Sequence, residues 1–426
     1  MTEEIGMARL YEYQGKEILV KSGLQVPKGV VVTDPDQAAQ AANDIAKPVV
    51  IKAQVWTTGR FNAGGIKFAH TPEEAKNATA EMFSRPLKGL VVSKILVEER
   101  LSVEKEFFVG VIVSDSHKIK GPVIIFGSEG GTSVEEVSRR NPERLASVNV
   151  NYLEGVTSDV AARLLDNVTF HDGDPSDKVR TGLINAIVRI YEAFKAYDAR
   201  AIEVNPLIVT KDERIVAADC HVTLDDNAVF RHPEIRIKVP RDMEREPTEL
   251  EEKAWAVEEG DYRGTGYFSQ MASKIEGPGW LGFQGIGGGG AMLGATALVA
   301  RGFKIANYAD TSGDPPASKI YIVIKHILSQ EIEGYVLMGA CLANQEQWHH
   351  AHALVKAFRE EAMKRPGFPV VILLAGNKEK EAHEIIRTGF EGLPLRWELY
   401  GRDYIYDTDF IADRVQALVA AYKADK

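Results

Sequence analysis

Apolar positions in the first half fall into short alternating or continuous runs, separated by stretches with helical spacing. Residues 48–52 (PVVIK) read as a buried strand ending in a lysine. Residues 107–113 and 122–126 read as neighbouring antiparallel strands. Residues 201–209 and 214–218 read as a second pair, joined by the turn Thr210-Lys211-Asp212-Glu213. Helical periodicity covers 36–46, 72–84 and 178–197. Hairpin-paired strands with helices between the groups predict an α+β arrangement. The second half alternates differently. Strand-like runs occur at 280–283, 334–338 and 369–374, and the apolar run 320–324 fits a helix better. Helical patterns cover 291–301, 315–329, 346–364, 379–388 and 409–423. This order predicts a doubly wound, flavodoxin-like parallel sheet, which binds ligands at the carboxyl ends of its strands.

A charged stretch, 237–261, separates the halves and reads as a linker, with a helical piece near 250–257. The expected organisation is a first domain over 1–245, a linker over 246–261 and a second domain over 262–426. The 426 residues suffice for two or three domains, and 45% apolar with 26% charged residues is ordinary for a soluble protein. No apolar stretch reaches the roughly 20 residues of a membrane span. The acidic N-terminus lacks the marks of a secretory signal. Cys220 and Cys341 lie far apart among apolar or small residues and read as buried free thiols in a cytoplasmic protein. A net charge of −10 argues against non-specific nucleic-acid binding but not against a phosphate ligand.

Three constellations in the first half carry candidate chemistry. In KAQVWTTGRFNAGGIK (52–67), Lys52 ends a strand and enters a glycine-bearing loop with Gly59 and Arg60. A lysine there can neutralise phosphate oxygens, and free amides can close over a polyphosphate. By itself the motif reads better as an ordinary hairpin with a surface lysine. Glu98 closes the strand 95–97, and Glu106 follows shortly. Both suit a ribose or purine edge, although strand-end glutamates are commonly solvated. Third, Glu203-Val204-Asn205-Pro206 is followed by Asp219, fourteen residues after Asn205. Two adjacent strands bring Asn205 and Asp219 together, an oxygen pair suited to Mg²⁺, and Glu203 shares the face of Asn205.

In the second half, Gly285-Ile286-Gly287-Gly288-Gly289-Gly290 opens a helix. Four consecutive glycines leave its amides open to an anion, the alternative being close backbone packing. The run 310–318 (DTSGDPPAS) precedes another helix, whose start suits a phosphate or simple capping by Asp314. Asn344, in MGACLANQE (338–346), suits a carboxylate or hydroxyl, or a helix cap.

MARLYEYQGKEILVKSGLQVPKG, KAQVWTTGRFNAGGIK, ILVEE with KEFFVG, GSEGG, and EVNPLIV followed by Asp219 together resemble the ATP-grasp half of succinyl-CoA synthetase β subunits. The resemblance implies an N-terminal ATP-grasp domain followed by a CoA-ligase domain. It implies that Lys52, Gly59, Arg60, Glu98 and Glu106 contact ATP, that Asn205 and Asp219 hold Mg²⁺, and that Glu203 positions a phosphohistidine from another chain. The family loop reads GGRGKAGG where this chain has TTGRFNAGG. The second half also departs from the succinyl pattern. It has four glycines where the family has Asn-Gly-Ala-Gly. It has Ala-Cys-Leu-Ala-Asn, ending at Asn344, where the family has Gly-Gly-Ile-Val-Arg with a carboxylate-binding arginine. The glycine loop and Ala343-Asn344 resemble ATP-citrate lyases and, over the whole chain, the large subunits of citryl-CoA synthetases.

That resemblance implies citrate as the acid, contacted by Gly288, Gly289 and Asn344. Ala375 falls where ATP-citrate lyases place a citrate-binding arginine, leaving Lys378 and Arg387 as candidate replacements. None of the ten histidines sits in the Gly-His-Ala-Gly setting of the family's phosphohistidine. A companion α-type subunit is therefore expected to supply that histidine and most contacts to CoA, the co-substrate. His349, His350 and His352 read as solvated or packing residues. The alternatives are a succinate– or malate–CoA ligase β subunit and, further off, a stand-alone ATP-grasp ligase or a nucleotide sensor.

Overall fold

The computed structural model describes residues 8–57, 59–131, 134–171, 173–239, 245–272 and 275–425, with backbone only at 341–343. Thr58, the start of the first family-like motif (Met7) and 240–244 of the charged stretch lie outside the described residues. The chain divides into two units, Met1–Glu246 and Pro247–Lys426.

The first unit holds two antiparallel sheets. The smaller has the strand order Gly29–Val32, Ile95–Glu99, Val49–Ala53, Ile66–Ala69. Alternate residues Val49, Ile51 and Ala53 pack under helices Pro35–Ile45 and Pro72–Ser84, against Ala38, Ala42, Ala75 and Met82. Both helices start with a proline in the first turn and a side-chain cap, Asp34 to the Gln37 N–H and Thr71 to the Glu74 N–H. The larger sheet runs Ala8–Arg9, Cys220–Leu224, Ala199–Thr210, Val103–Ser114, Gly121–Gly127, Leu145–Asn149, with Ile215–Ala217 also on Ala199–Thr210. Helix Asp177–Ala196 buries Leu183, Ile187 and Ile190 in the same core as Val109, Ile202 and Val204. Both expected hairpin pairs form, with Val109 opposite Phe126 and Val209 opposite Ile215.

The central strand Ala199–Thr210 is flanked by irregular pairing. On one side its neighbour is broken at residues 218–219, and on the other the register shifts between Phe107 and Val109. Such breaks re-aim side chains, and here they flank Asn205.

The second unit is doubly wound. Its sheet has the order Tyr267–Gln270, Lys304–Asp310, Trp280–Ile286, Gly334–Glu346, Phe368–Asn377, Leu395–Tyr400, all parallel except the first strand. Val371 and Leu373 pack on one face with helix Thr408–Ala424, while Val370, Ile372 and Leu374 pack on the other with Ala317–Leu328 and Trp348–Glu361. From Trp280–Ile286 the chain passes to one neighbour and then returns to the other, Gly334–Glu346. The strand order therefore switches between those two strands, the position at which such sheets bind ligands.

Residues 320–324 are helical, as the spacing favoured. Strands Tyr267–Gln270, Lys304–Asp310 and Leu395–Tyr400 were not legible as such. The helical piece in the charged stretch is Glu249–Trp255, fixed by a capping box between Thr248 and Glu251. Among the described residues no helix is long and apolar enough to cross a membrane.

Candidate functional site

Helix Glu12–Lys21 places Glu12 and Lys16 one turn apart, at 4% and 5% exposure. Neither was singled out from the sequence. Their only sequence signal is a charged i, i+4 pair on a face that also carries Leu19. Lys52, at the end of its strand, sits 2.8 Å from Glu12 and 2.6 Å from Glu98. Lys16 reaches the same two carboxylates at 2.7 and 2.5 Å. Arg60 donates to Glu12 at 2.7 Å and to both oxygens of Asp219 at 2.9 Å. Three cations and three carboxylates thus form one buried, formally neutral cluster. Burial opposes ionisation of Lys52 and Arg60, but the carboxylates outweigh it and raise both pKa values. Burial likewise opposes the charge of Glu12, which Lys16, Lys52 and Arg60 overcome, so its carboxyl lies well below the ordinary range. Gly59, beside Arg60, has φ +64°, a backbone conformation that favours glycine.

Lys52 also donates to the Ala218 carbonyl at 2.8 Å, fastening the lysine to the broken strand edge. Beyond it, the Asn205 N–H donates to the Asp219 carbonyl at 3.1 Å, so the two residues lie side by side. The Asn205 amide nitrogen donates to Glu203 at 3.3 Å, as expected for one face, and Glu203 stands opposite His221. The Asn205 side-chain oxygen accepts the Gly131 N–H at 2.8 Å. Gly131 has φ +75°, and a Cβ there would collide with the Glu106 carboxylate. Burial raises the pKa of that carboxyl, and it has no hydrogen-bond or ion-pair partner among the described residues. The contacts therefore join Lys52, Arg60, Glu98, Asp219, Asn205, Glu203 and Glu106 into one continuous set. The buried Trp56 indole N–H, in the loop after Lys52, has no acceptor among the described residues.

Mg²⁺ takes one or two protein oxygens and completes its shell with phosphate and water. The Asn205 and Asp219 oxygens fit that requirement. The Arg60 guanidinium takes the cation position at Asp219 here, so a metal at Asp219 requires this ion pair to open. Among the described residues no group of three or more His, Cys, Asp or Glu is arranged to hold a metal ion.

In the second unit, helix Gly288–Ala300 starts at Gly287, with φ +81°. A Cβ on Gly288, Gly289 or Gly290 would meet nothing within 4 Å. Close packing within the chain therefore does not require glycine at these three positions, and all three are exposed. Asn344 is exposed and does not cap the next helix, which begins at Trp348 with Gln347 at its N-cap. Asp314 does not cap helix Ala317–Leu328 either. It pairs with Arg263 at 2.6 Å and accepts the Glu346 N–H at 3.1 Å. The loop 311–314 is thereby tied to the end of the Asn344 segment.

His350 stands behind these loops, fully buried. Its Nε2 lies 2.8 Å from the Thr311 hydroxyl, and the Gln345 amide is 3.4 Å from its Nδ1. Burial lowers its pKa to about 3, so the ring is neutral. It is the packing residue the sequence suggested. Cys220 is a buried free thiol whose pKa burial raises, and the side chain of Cys341 lies outside the described residues.

Comparison with known proteins gives the family. A family model described as an ATP-grasp domain matches residues 9–209. The GDP-forming succinate–CoA ligase β subunit of Thermus thermophilus is 33% identical over 415 residues, covering 96% of this chain and 98% of that one. The ADP-forming β subunit of Rubrobacter xylanophilus is 33% identical over 383 residues, covering 89% and 92%. In fold, the chain is similar to ATP citrate lyase from Methanothrix soehngenii, solved with citrate and coenzyme A. The TM-score is 0.67 at 18% identity, covering 96% of this chain and 99% of that one. One third identical to such a β subunit along nearly its whole length, this chain belongs to the family of succinate–CoA ligase β subunits.

Proposed function

We propose that this chain is the nucleotide-binding subunit of an ATP- and Mg²⁺-dependent acid–CoA ligase, and that its acid is citrate. The observation that carries the nucleotide part is the connected set from Lys52 and Arg60 through Asp219 and Asn205 to Glu106. Lys52 and Arg60 would meet phosphate oxygens as fixed cations. Asn205 and Asp219 would hold Mg²⁺, which neutralises charge on the transferring phosphate. Gly59 keeps the loop backbone open, and Glu98 and Glu106 contact the nucleoside. Glu203, beside Asn205, would orient the histidine of a companion α-type subunit. The γ-phosphoryl passes to that imidazole nitrogen as ADP leaves. The acid carboxylate then takes the phosphoryl and releases the imidazole. The CoA thiolate displaces phosphate from the acyl phosphate, forming the thioester.

Citrate is favoured over succinate by Asn344, an exposed neutral side chain where the succinyl pattern has an arginine, and by the open amides at Gly288 and Gly289. Succinate is the second reading, favoured by the relatives' names. The test is CoA-dependent ADP release by this chain with a candidate companion subunit, comparing citrate, succinate and malate. Citrate should give the highest kcat/KM. A higher kcat/KM for succinate or malate defeats the citrate assignment, and no nucleotide turnover with any acid defeats the ligase assignment.

A further inference from the structure

We propose that Glu12 is a positioning residue for nucleotide phosphates, the fixed anion that keeps Lys52 and Arg60 aimed. The inference rests on the nucleotide reading above. All three cations of the buried cluster converge on Glu12, with Lys16 at 2.7 Å and Lys52 at 2.8 Å on one oxygen and Arg60 at 2.7 Å on the other. No other carboxylate of the cluster touches all three. Glu98 holds the two lysines and Asp219 holds only Arg60.

Burial separates Glu12 from Asp219, and its contact with Arg60 separates it from the equally buried Glu98. The Glu12 side chain is 1% exposed and closed in by its partners, whereas Asp219 is 16% exposed. Once Asp219 turns to a metal and Glu98 to the nucleoside, Lys52 and Arg60 would keep one ionised partner between them, Glu12. Without it, two neighbouring buried cations would repel each other and lose their fixed directions. The guanidinium plane is fixed at two nitrogens, Nη2 donating to Glu12 at 2.7 Å and Nη1 to the Ala53 carbonyl at 3.0 Å, so losing Glu12 removes one of its two anchors on that side. Gly15, on the same helix, permits the close approach, since a Cβ there would press on Cys220 Sγ at 2.8 Å. The helix is thus held tightly against the strand that follows Asp219.

The test is Glu12→Gln in the full chain, with affinities for Mg·ATP, ADP and adenosine measured by calorimetry and ligand-observed NMR. Outer-shell partners that orient metal ligands typically change metal affinity or activity about 10- to 100-fold when lost, and an anion that orients two phosphate-binding cations is expected on the same scale. Mg·ATP and ADP should weaken by at least about tenfold, while adenosine, which carries no phosphate, binds as in the parent chain. Glu12→Asp, which keeps the charge, should recover part of the loss, and it carries the same comparison if Glu12→Gln does not fold. Equal weakening of adenosine and ATP would mean a merely structural role and overturn the proposal, as would unchanged ATP affinity in a folded variant. If the parent chain binds neither ATP nor ADP, the nucleotide reading itself fails, a result distinct from a failure specific to Glu12.

Discussion

Replacing Gly288, Gly289 and Gly290 together by alanine separates a packing role from a ligand role. Gly288 to Gly290 open the first turn of helix Gly288–Ala300, and a Cβ on each points into open space. Gly287, with φ +81°, is left intact. Glycine-to-alanine changes at compatible positions stabilise by about 0.4–1 kcal/mol each, mainly by restricting the unfolded chain. At a helix start the lower end applies, so the triple variant should gain about 1–2 kcal/mol. For a unit of this size each kcal/mol shifts Tm by about 2–4 °C, so the second unit should melt roughly 2–8 °C higher. Three methyl groups over the helix amides should meanwhile raise the KM for the acid about tenfold or more, leaving the KM for ATP unchanged. Calorimetry and acid-titrated ADP release check the two halves. A lower Tm would refute the argument that packing leaves these positions free. A raised Tm with unchanged acid KM would refute their role at the acid.

Three further outcomes follow from the same contacts. Lys52→Met leaves Glu12 and Glu98 short of a buried cation and should destabilise the first unit by about 3–5 kcal/mol in urea unfolding. A loss under about 1 kcal/mol would mean the cluster relaxes freely. His350, held neutral by burial with its pKa near 3 against an ordinary 6.5, binds its proton more weakly folded than unfolded. Its contribution is therefore complete above pH 6.5 and falls as pH drops towards 3, by up to about 1.4 kcal/mol per pH unit. His350→Gln should flatten the stability–pH slope of the second unit between pH 4 and 6 by nearly one proton, and an unchanged slope would contradict this. Lys378→Met and Arg402→Met should raise the KM for citrate more than that for succinate, whereas Arg387→Met should alter neither. Equal effects of all three variants would show only a diffuse field.

Elements with one strong period were legible. Helices 72–84 and 379–390 carry 3.6-residue patterns, and the hairpin pairs are apolar runs, the second of them joined by a turn-forming segment. Strand Lys304–Asp310 was missed because Asn307 and Asp310 interrupt its apolar run. The structure satisfies Asn307 through the Phe283 carbonyl at 2.9 Å, a partner far away in sequence. The charged helix Glu249–Trp255 was legible as a helical piece near 250–257, but the burial of its Glu251 was not, and that carboxylate accepts from the Gln270 N–H at 2.7 Å as well as from Thr248 in the capping box. The nucleotide residues were visible as separate motifs, and only Glu203 and Asn205 had a spacing that fixed a common face. Glu12 and Lys16 lay inside a quoted motif yet were passed over. A buried ion cluster leaves no periodic trace, since each member looks like a surface charge until the fold brings the others to it.

The acid side poses a problem of charge that the sheet order helps to resolve. A tricarboxylate carries up to three negative charges, and a helix N-terminus offers only about half a positive one. Ala375, where an arginine was expected, is buried in strand Phe368–Asn377 and has no reach. Arg387 lies in the last turn of the following helix, about 13 Å along its axis from the strand end. Lys378, by contrast, stands directly after the carboxyl end of that strand, two strands from the glycine turn, or about 10 Å across the sheet. Arg402 follows the next strand and donates to the Gly376 carbonyl at 3.2 Å, leaning back toward the same edge. Lys378 is held by an exposed pair with Glu381 at 3.1 Å, whereas Arg402 also pairs with the largely buried Glu379 at 3.0 Å. An exposed pair like that of Lys378 contributes less than about 1 kcal/mol, so an incoming carboxylate can draw this lysine away at little cost, while Arg402 adds a positive charge already fixed near the same strand ends. Two cations at neighbouring strand ends, in place of a single arginine at the Ala375 position, would suit a larger and more highly charged acid than succinate.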